Sequence, residues 1–201
     1  MFRMILFFTA LTLWQVPLVV GAAPSDDDSG GRTPDVVYVG TPSDVVTRML
    51  ELAEVTRDDV LYDLGCGDGR IVVRAAKLFG CRAIGYDINP VRVRESLENI
   101  QRNNVQDLVT VERRDVFTVD LTPATVVTLY LLPEMNARLI PQLQELKPGS
   151  RIVAHDYGIR GVTPEKTITM DSKVDGVPHY LYLYTAPLQV RKKPTVDDDD
   201  P

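Results

Sequence analysis

Residues 60–70 read Val60-Leu61-Tyr62-Asp63-Leu64-Gly65-Cys66-Gly67-Asp68-Gly69-Arg70. An apolar strand delivers Asp63 into a turn built on Gly65, Gly67 and Gly69, and a helical pattern follows. Three alternate glycines permit positive φ and put no Cβ in the way, so a nucleoside cofactor can lie against the backbone at the strand's carboxyl end. The neighbours decide which cofactor. A dinucleotide fingerprint sets its third glycine five residues after the first, around a bound pyrophosphate. Arg70 stands at that position. Asp63, two residues ahead of Gly65, would repel a diphosphate but can pair with the ammonium of an amino-acid moiety. That chemistry suits S-adenosyl-L-methionine.

A glycine-rich strand-to-helix connection is also a common structural corner, so further acids matter. Asp87 ends a second apolar stretch, Arg82-Ala83-Ile84-Gly85-Tyr86-Asp87, 22 residues beyond Gly65. A carboxylate there can accept hydrogen bonds from two ribose hydroxyls and fits either cofactor. Asp115 follows the next apolar stretch. Three acids after three successive strands would line one sheet edge.

Outward from this turn the pattern alternates. Thr41-Pro42-Ser43-Asp44 offers an N-cap, a first-turn proline and an acid at the capping-box position, predicting a helix to about residue 54 with Val46, Leu50 and Ala53 inward. Strands are expected at 60–64, 82–87, 108–113, 125–131 and 151–155. Helices are expected at 69–79, at 90–103 with Val93, Leu97 and Ile100 inward, and at 133–146 with Met135, Leu139 and Leu143 on one stripe. Such alternation predicts an α/β, Rossmann-like, doubly wound and mostly parallel sheet covered on both faces. Residues 166–171 and 179–185 alternate strictly around a Gly-Val-Pro turn and predict a C-terminal antiparallel hairpin, giving seven strands in all. Tyr180, Tyr182 and Tyr184 share one face there, as sheet packing.

The chain has 201 residues and a formal charge of −6. Asp26–Asp28 and Asp197–Asp200 hold seven of the 28 acids, leaving 21 against 22 bases. A nucleic-acid partner is therefore disfavoured. Residues 1–23 read as a signal peptide, with Val20-Gly21-Ala22 as a cleavage site, or as a membrane anchor through residues 4–20. Residues 24–34 read as a polar linker, 35–188 as the folded domain and 189–201 as a charged tail. Cys66 and Cys81 flank a helix that would hold them roughly 15 Å apart, beyond the reach of a disulfide. The two histidines and two cysteines show no ligand spacing, so neither metal nor covalent chemistry is expected.

With the glycine turn, Asp87, Asp115-Val116 and the terminal hairpin in place, the chain resembles the class I, seven-stranded S-adenosylmethionine-dependent methyltransferases over roughly residues 36–187. Tyr38-Val39-Gly40-Thr41-Pro42 ahead of a helix and Leu129-Tyr130-Leu131-Leu132-Pro133-Glu134 at the fourth strand's end look most like two groups of protein lysine methyltransferases. These are the histone-lysine enzymes that lack a SET domain and the mitochondrial enzymes acting on the c-subunit of ATP synthase and on the adenine nucleotide translocase. The resemblance implies that Tyr38 and Thr41 close over the methionine part of the cofactor and that Asp63, Gly65 and Gly67 hold its amino-acid moiety. It likewise implies that Asp87 holds the ribose, and Asp115 and Val116 the adenine. Asp115 has a turn-forming role as a second reading, and Thr41 an N-capping one. The side-chain amide that histone-directed enzymes carry before Pro-Glu is missing from Thr128–Leu132, which disfavours histone and leaves another protein lysine. The Asn-Pro-Pro-Tyr or Asp-Pro-Pro-Tyr motif of base-methylating enzymes is not matched either.

Transfer from a sulfonium is an in-line displacement, so positioning can supply most of the catalysis. A lysine acceptor must first lose a proton, which a desolvated aromatic channel favours. Tyr38 and Tyr130 are the expected wall, and His155, after the fifth strand, is a candidate base. A small-molecule O- or N-methyltransferase, a silent nucleoside-binding module and a nicotinamide-dependent oxidoreductase are the alternatives. Because the cofactor is made in the cytosol, the amino-terminal segment is reconciled with the site by an anchor with the domain facing that side, the reading most compatible with the cofactor, by an upstream-extended start codon, or by export with a changed function.

Overall fold

The computed structural model describes residues 38–191. The segment read at 1–23, the linker at 24–34 and most of the acidic tail lie outside the described residues. The elements are α1 (Ser43–Leu52), β1 (Val60–Leu64), α2 (Arg70–Phe79), β2 (Arg82–Asp87), α3 (Pro90–Arg102), β3 (Val109–Arg113), β4 (Val126–Leu129), α4 (Pro133–Arg138), α5 (Ile140–Gln144), β5 (Arg151–His155), β6 (Lys166–Asp171) and β7 (Pro178–Thr185). The expected fold class is borne out. One seven-stranded sheet runs in the order β3-β2-β1-β4-β5-β7-β6. β1 to β5 are mutually parallel, and β7 is antiparallel to both β5 and β6.

Period-two alternation explains the layering. Leu61 and Val153 pack with α1, α2 and α3 on one face, while Tyr62, Leu64, Ile152 and Ala154 pack with α4 and α5 on the other. β7 divides likewise, with Leu181 in the first cluster and Tyr184 in the second. At the amino edge of the sheet, buried Asp59 joins three strands. One carboxylate oxygen accepts from Thr56 N at 2.7 Å and Thr56 Oγ1 at 3.1 Å. The other accepts from Thr125 Oγ1 at 2.6 Å and from Arg151 Nη2.

Several expectations need correction. α1 starts at Ser43 with Pro42 as its cap and no side-chain cap bond. Thr41 and Asp44 are used elsewhere: Asp44 accepts from Ser172 Oγ at 2.9 Å and Lys173 N at 2.7 Å, tying α1 to the terminal hairpin. Leu97 is exposed, because α3 turns Ser96 inward in its place, while Ile100 is buried as expected. Ser96 lies against Gly69 and donates to Gly67 O, which sets that helix phase. The helix expected at 133–146 is two short helices, since Pro141 has no N–H for the carbonyl four residues earlier. The fourth strand is shorter than expected, ending at Leu129. The folded part runs past 188: Val190 bridges to Val162, and Arg191 N donates to Gly161 O at 2.7 Å. Both cysteines are free and buried. Asn89 caps α3 as expected, accepting from Val91 N at 2.9 Å.

Candidate active site

The carboxyl ends of β1, β2 and β4 and the loop after β3 open into one cavity of about 1010 Å³ including its mouth. Tyr38, Thr41, Asp63, Gly65, Asp87, Asp115, Val116 and Tyr130 all line it. Parallel strands explain the convergence, since each delivers its last residue to the same edge.

Asp63 is the centre of the site. It is buried, with Oδ1 accepting from Thr128 Oγ1 at 2.7 Å and Oδ2 without a partner. Burial pushes its carboxyl up to about 7, opposed by the Thr128 bond and reinforced by Asp87 and Asp68. A buried carboxylate with an unsatisfied oxygen is costly by itself. It suits a cation, and the ammonium of an amino-acid moiety fits the need.

The glycine turn divides its work. Gly65 has φ 79° and is exposed to the cavity, and a Cβ there would meet the Leu131 side chain. Gly67, with φ 57°, lies beneath the Tyr38 ring, which a Cβ would strike. Gly67 is not part of the cavity wall; its N–H donates to Asp87 Oδ2 at 2.9 Å. The missing side chain at 67 therefore seats Tyr38. Asp87 Oδ1 accepts from Asn89 N at 2.8 Å, and burial raises the carboxyl. Each oxygen keeps a lone pair for a hydroxyl. Asp115 accepts from Phe117 N at 3.0 Å, so it shapes its turn while lining the cavity.

Two guanidiniums lie over the Tyr38 ring, Arg92 at 4.7 Å and Arg70 at 5.9 Å from its centroid. Arg70 grips Asp68 through Nε at 2.9 Å and Nη2 at 2.8 Å, and its Nη1 donates to Thr41 O at 2.9 Å. The residue that breaks the dinucleotide pattern thus fastens the 38–41 segment over the turn. Arg92, Leu131, Met135 and Phe117 also line the cavity and were missed by sequence reasoning. Thr128 was missed too. Only their places next to motif residues could have signalled them.

Tyr130 projects from the end of β4, its hydroxyl donating to Asp156 Oδ2 at 3.4 Å. Burial and then Asp156 push it up to about 12. Tyr38 is likewise pushed to about 12, by burial and then Asp68. Both stay protonated at neutral pH. His155 departs from its expected place: it is fully buried, is not part of the cavity wall and has both ring nitrogens engaged. Nδ1 meets Thr41 Oγ1 at 3.1 Å, and Nε2 meets His179 Nδ1 at 2.9 Å. Burial pulls its pKa down, with Asp156 opposing. It stands behind Tyr130, with ring centroids 4.0 Å apart. The two histidines, far apart in sequence, are brought together by the β5–β7 pairing.

A mostly parallel sheet with this reversal of strand order, a buried acid near the carboxyl end of β1 and a second at the end of β2 defines a class I S-adenosylmethionine-dependent methyltransferase. Residues 63–166 match the model of the ANTKMT methyltransferase domain, and the chain belongs to that family. It is 49% identical over 154 residues to a protein-lysine N-methyltransferase of Saccharolobus islandicus, covering 75% of this chain and 94% of the relative. It is 36% identical over 121 residues to the adenine nucleotide translocase lysine N-methyltransferase of Mus musculus, covering 59% of this chain and 52% of that one. Among solved structures, an RNA methyltransferase from Salinibacter ruber in complex with S-adenosyl-L-homocysteine is 41% identical, with a TM-score of 0.69. That likeness covers 81% of this chain and all of the other. The chain is an S-adenosylmethionine-dependent enzyme.

Proposed function

We propose that the protein methylates the side-chain amine of a lysine in another protein. The observation that carries this is the end of β4, where Tyr130 and Leu131 form an aromatic and apolar stretch of the cavity wall. Such a wall strips water from an ammonium, lowers its pKa and leaves a neutral nucleophile. The Saccharolobus relative, named a protein-lysine methyltransferase, supports the same reading.

S-adenosylmethionine supplies an electrophilic methyl group on a sulfonium. Asp63 Oδ2 takes the ammonium of the methionine moiety, and the backbone at Gly65 allows close approach. Asp87 accepts from the ribose hydroxyls, while Asp115 and Val116 hold the adenine. Tyr38 and Thr41 close the methionine end. Tyr130 orients the acceptor and excludes water. Neither tyrosine takes the proton, since both hydroxyls are already protonated at neutral pH; desolvation would lower the amine pKa so that the proton passes to bulk water as the lysine enters, and the cofactor would leave as its thioether.

The Salinibacter relative favours RNA as a second reading. Against it stand the near balance of charge and the absence of an Asn-Pro-Pro-Tyr or Asp-Pro-Pro-Tyr strand end. Labelled S-adenosylmethionine and a cell extract separate the two. Label that survives nuclease and maps to lysine by mass spectrometry supports the proposal. Label lost on nuclease treatment, or confined to small molecules, overturns it.

A further inference from the structure

Three side-chain atoms outside the cavity wall converge behind Tyr130. His155 Nε2 and His179 Nδ1 are 2.9 Å apart, and Asp156 Oδ2 lies 3.3 Å from the first and 3.2 Å from the second. Three ligands about 2.1 Å from one ion stand about 3.0 Å apart at octahedral angles and about 3.4 Å apart at tetrahedral ones. The observed triangle matches that spacing.

The outer atoms are also provided for. Asp175 accepts at 3.2 Å from His179 Nε2, which places a proton there and turns the Nδ1 lone pair inward. His155 Nδ1 pairs with Thr41 Oγ1. Tyr180 N donates to Asp156 Oδ1 at 3.0 Å, leaving Oδ2 to face the histidines. Asp156 has φ 55°, a left-handed conformation, and its carboxylate bonds to both His179 and Tyr180 of β7. Outer hydrogen bonds of this kind are what orient imidazole and carboxylate ligands around a metal.

We propose that His155, Asp156 and His179 bind one divalent transition ion of the zinc type. Two imidazoles and one carboxylate suit Zn²⁺ or Co²⁺ better than Mg²⁺ or Ca²⁺, which take oxygen ligands. The Tyr130 hydroxyl, near Asp156 Oδ2, or a water completes the coordination. The ion braces β5, β7 and the start of α1, and so fixes Thr41 and Tyr130 at the cavity wall. This rests on the geometry of the fold and is independent of the acceptor. The competing arrangement is a single proton on His155 Nε2 shared between His179 and Asp156.

The test uses the full chain, stripped with a chelator, titrated with Zn²⁺, desalted and analysed for metal. One retained zinc per chain and a higher melting temperature are expected. His179→Ala and Asp156→Asn should each weaken zinc binding roughly a hundredfold or more, with S-adenosylmethionine binding reporting that they fold. No retained zinc in the wild type overturns the proposal. So does equal binding by His179→Ala, which would place the ion on the acidic stretches at 26–28 and 197–200. If neither variant folds, the visible spectrum of the Co²⁺-loaded wild type decides. A nitrogen-ligated, low-coordinate spectrum supports the site, and an all-oxygen octahedral one overturns it.

Discussion

At Asp63 the fold keeps a carboxyl under conditions that disfavour its charge. Its folded pKa is about 7 against an ordinary 3.8, so the folded chain holds a proton that the unfolded chain releases between those values. The stability of the cofactor-free protein therefore falls as pH rises from about 4 to 7 and levels off above that. The loss is on the order of 4 kcal/mol at most. Asp63→Asn removes this dependence, and its melting temperature should exceed that of the wild type by more at pH 8 than at pH 5. Equal differences at the two values would refute the assignment. The same variant should fail to bind S-adenosylmethionine, because the free oxygen that makes the acid costly is the one offered to an ammonium. In the wild type, cofactor binding should weaken as pH falls below 7, which titration calorimetry reads directly. At Tyr130 the ring and the hydroxyl separate cleanly. Tyr130→Phe keeps the wall and loses one long hydrogen bond, so kcat should drop by about threefold or less. Tyr130→Ala opens the wall and should cost about a hundredfold in kcat, with cofactor affinity changing far less.

Among the elements, short apolar runs at 60–64, 82–87 and 151–155 between helical patterns made the strands readable, and those bounds match. The terminal hairpin was readable from strict alternation on either side of its turn. Helix phase was less so: Leu97 carries an inward residue type, yet α3 is rotated by Ser96 packing on the glycine turn, a contact between distant parts of the chain. The break at Pro141 had a local signal in the proline itself. The meeting of His155 and His179 had none, since the β5–β7 register decides it. Site acids were legible because each lies at or within two residues of a strand's carboxyl end; Thr128, Arg92 and Leu131 were not, because their roles come from the neighbouring strand or helix. Asp59 supplies a test confined to the opposite edge of the sheet. Asp59→Ala leaves Arg151 and Thr125 without their acceptor and should cost roughly 2 to 4 kcal/mol. The urea midpoint should fall accordingly, while the cofactor Kd of the folded protein stays the same. A changed Kd would mean that the two edges communicate.

Over the whole molecule, one continuous sheet across residues 38–191 predicts a single cooperative unfolding transition for that part. S-adenosylmethionine at a hundred times its Kd should stabilise it by about 2.7 kcal/mol, a shift that calorimetry can check. Among the described residues no helix is long and apolar enough to cross a membrane. We propose that residues 4–20 hold the domain at a membrane on the side that supplies the cofactor. The full chain should then pellet with membranes and a chain lacking residues 1–34 should not. Equal distribution of the two would rule the anchor out.

The place of β7 carries a consequence for how the protein is made. It is the last strand in sequence, yet it lies between β5 and β6. During synthesis β5 must therefore wait with an unpaired edge until residue 185 has emerged, and β6 has no neighbour at all until then. The nascent chain can complete the cofactor turn, which needs only β1, β2 and β4, while its other half still exposes a sticky strand. Early cofactor capture on the ribosome would protect the finished half, and chaperone contact should concentrate on β5.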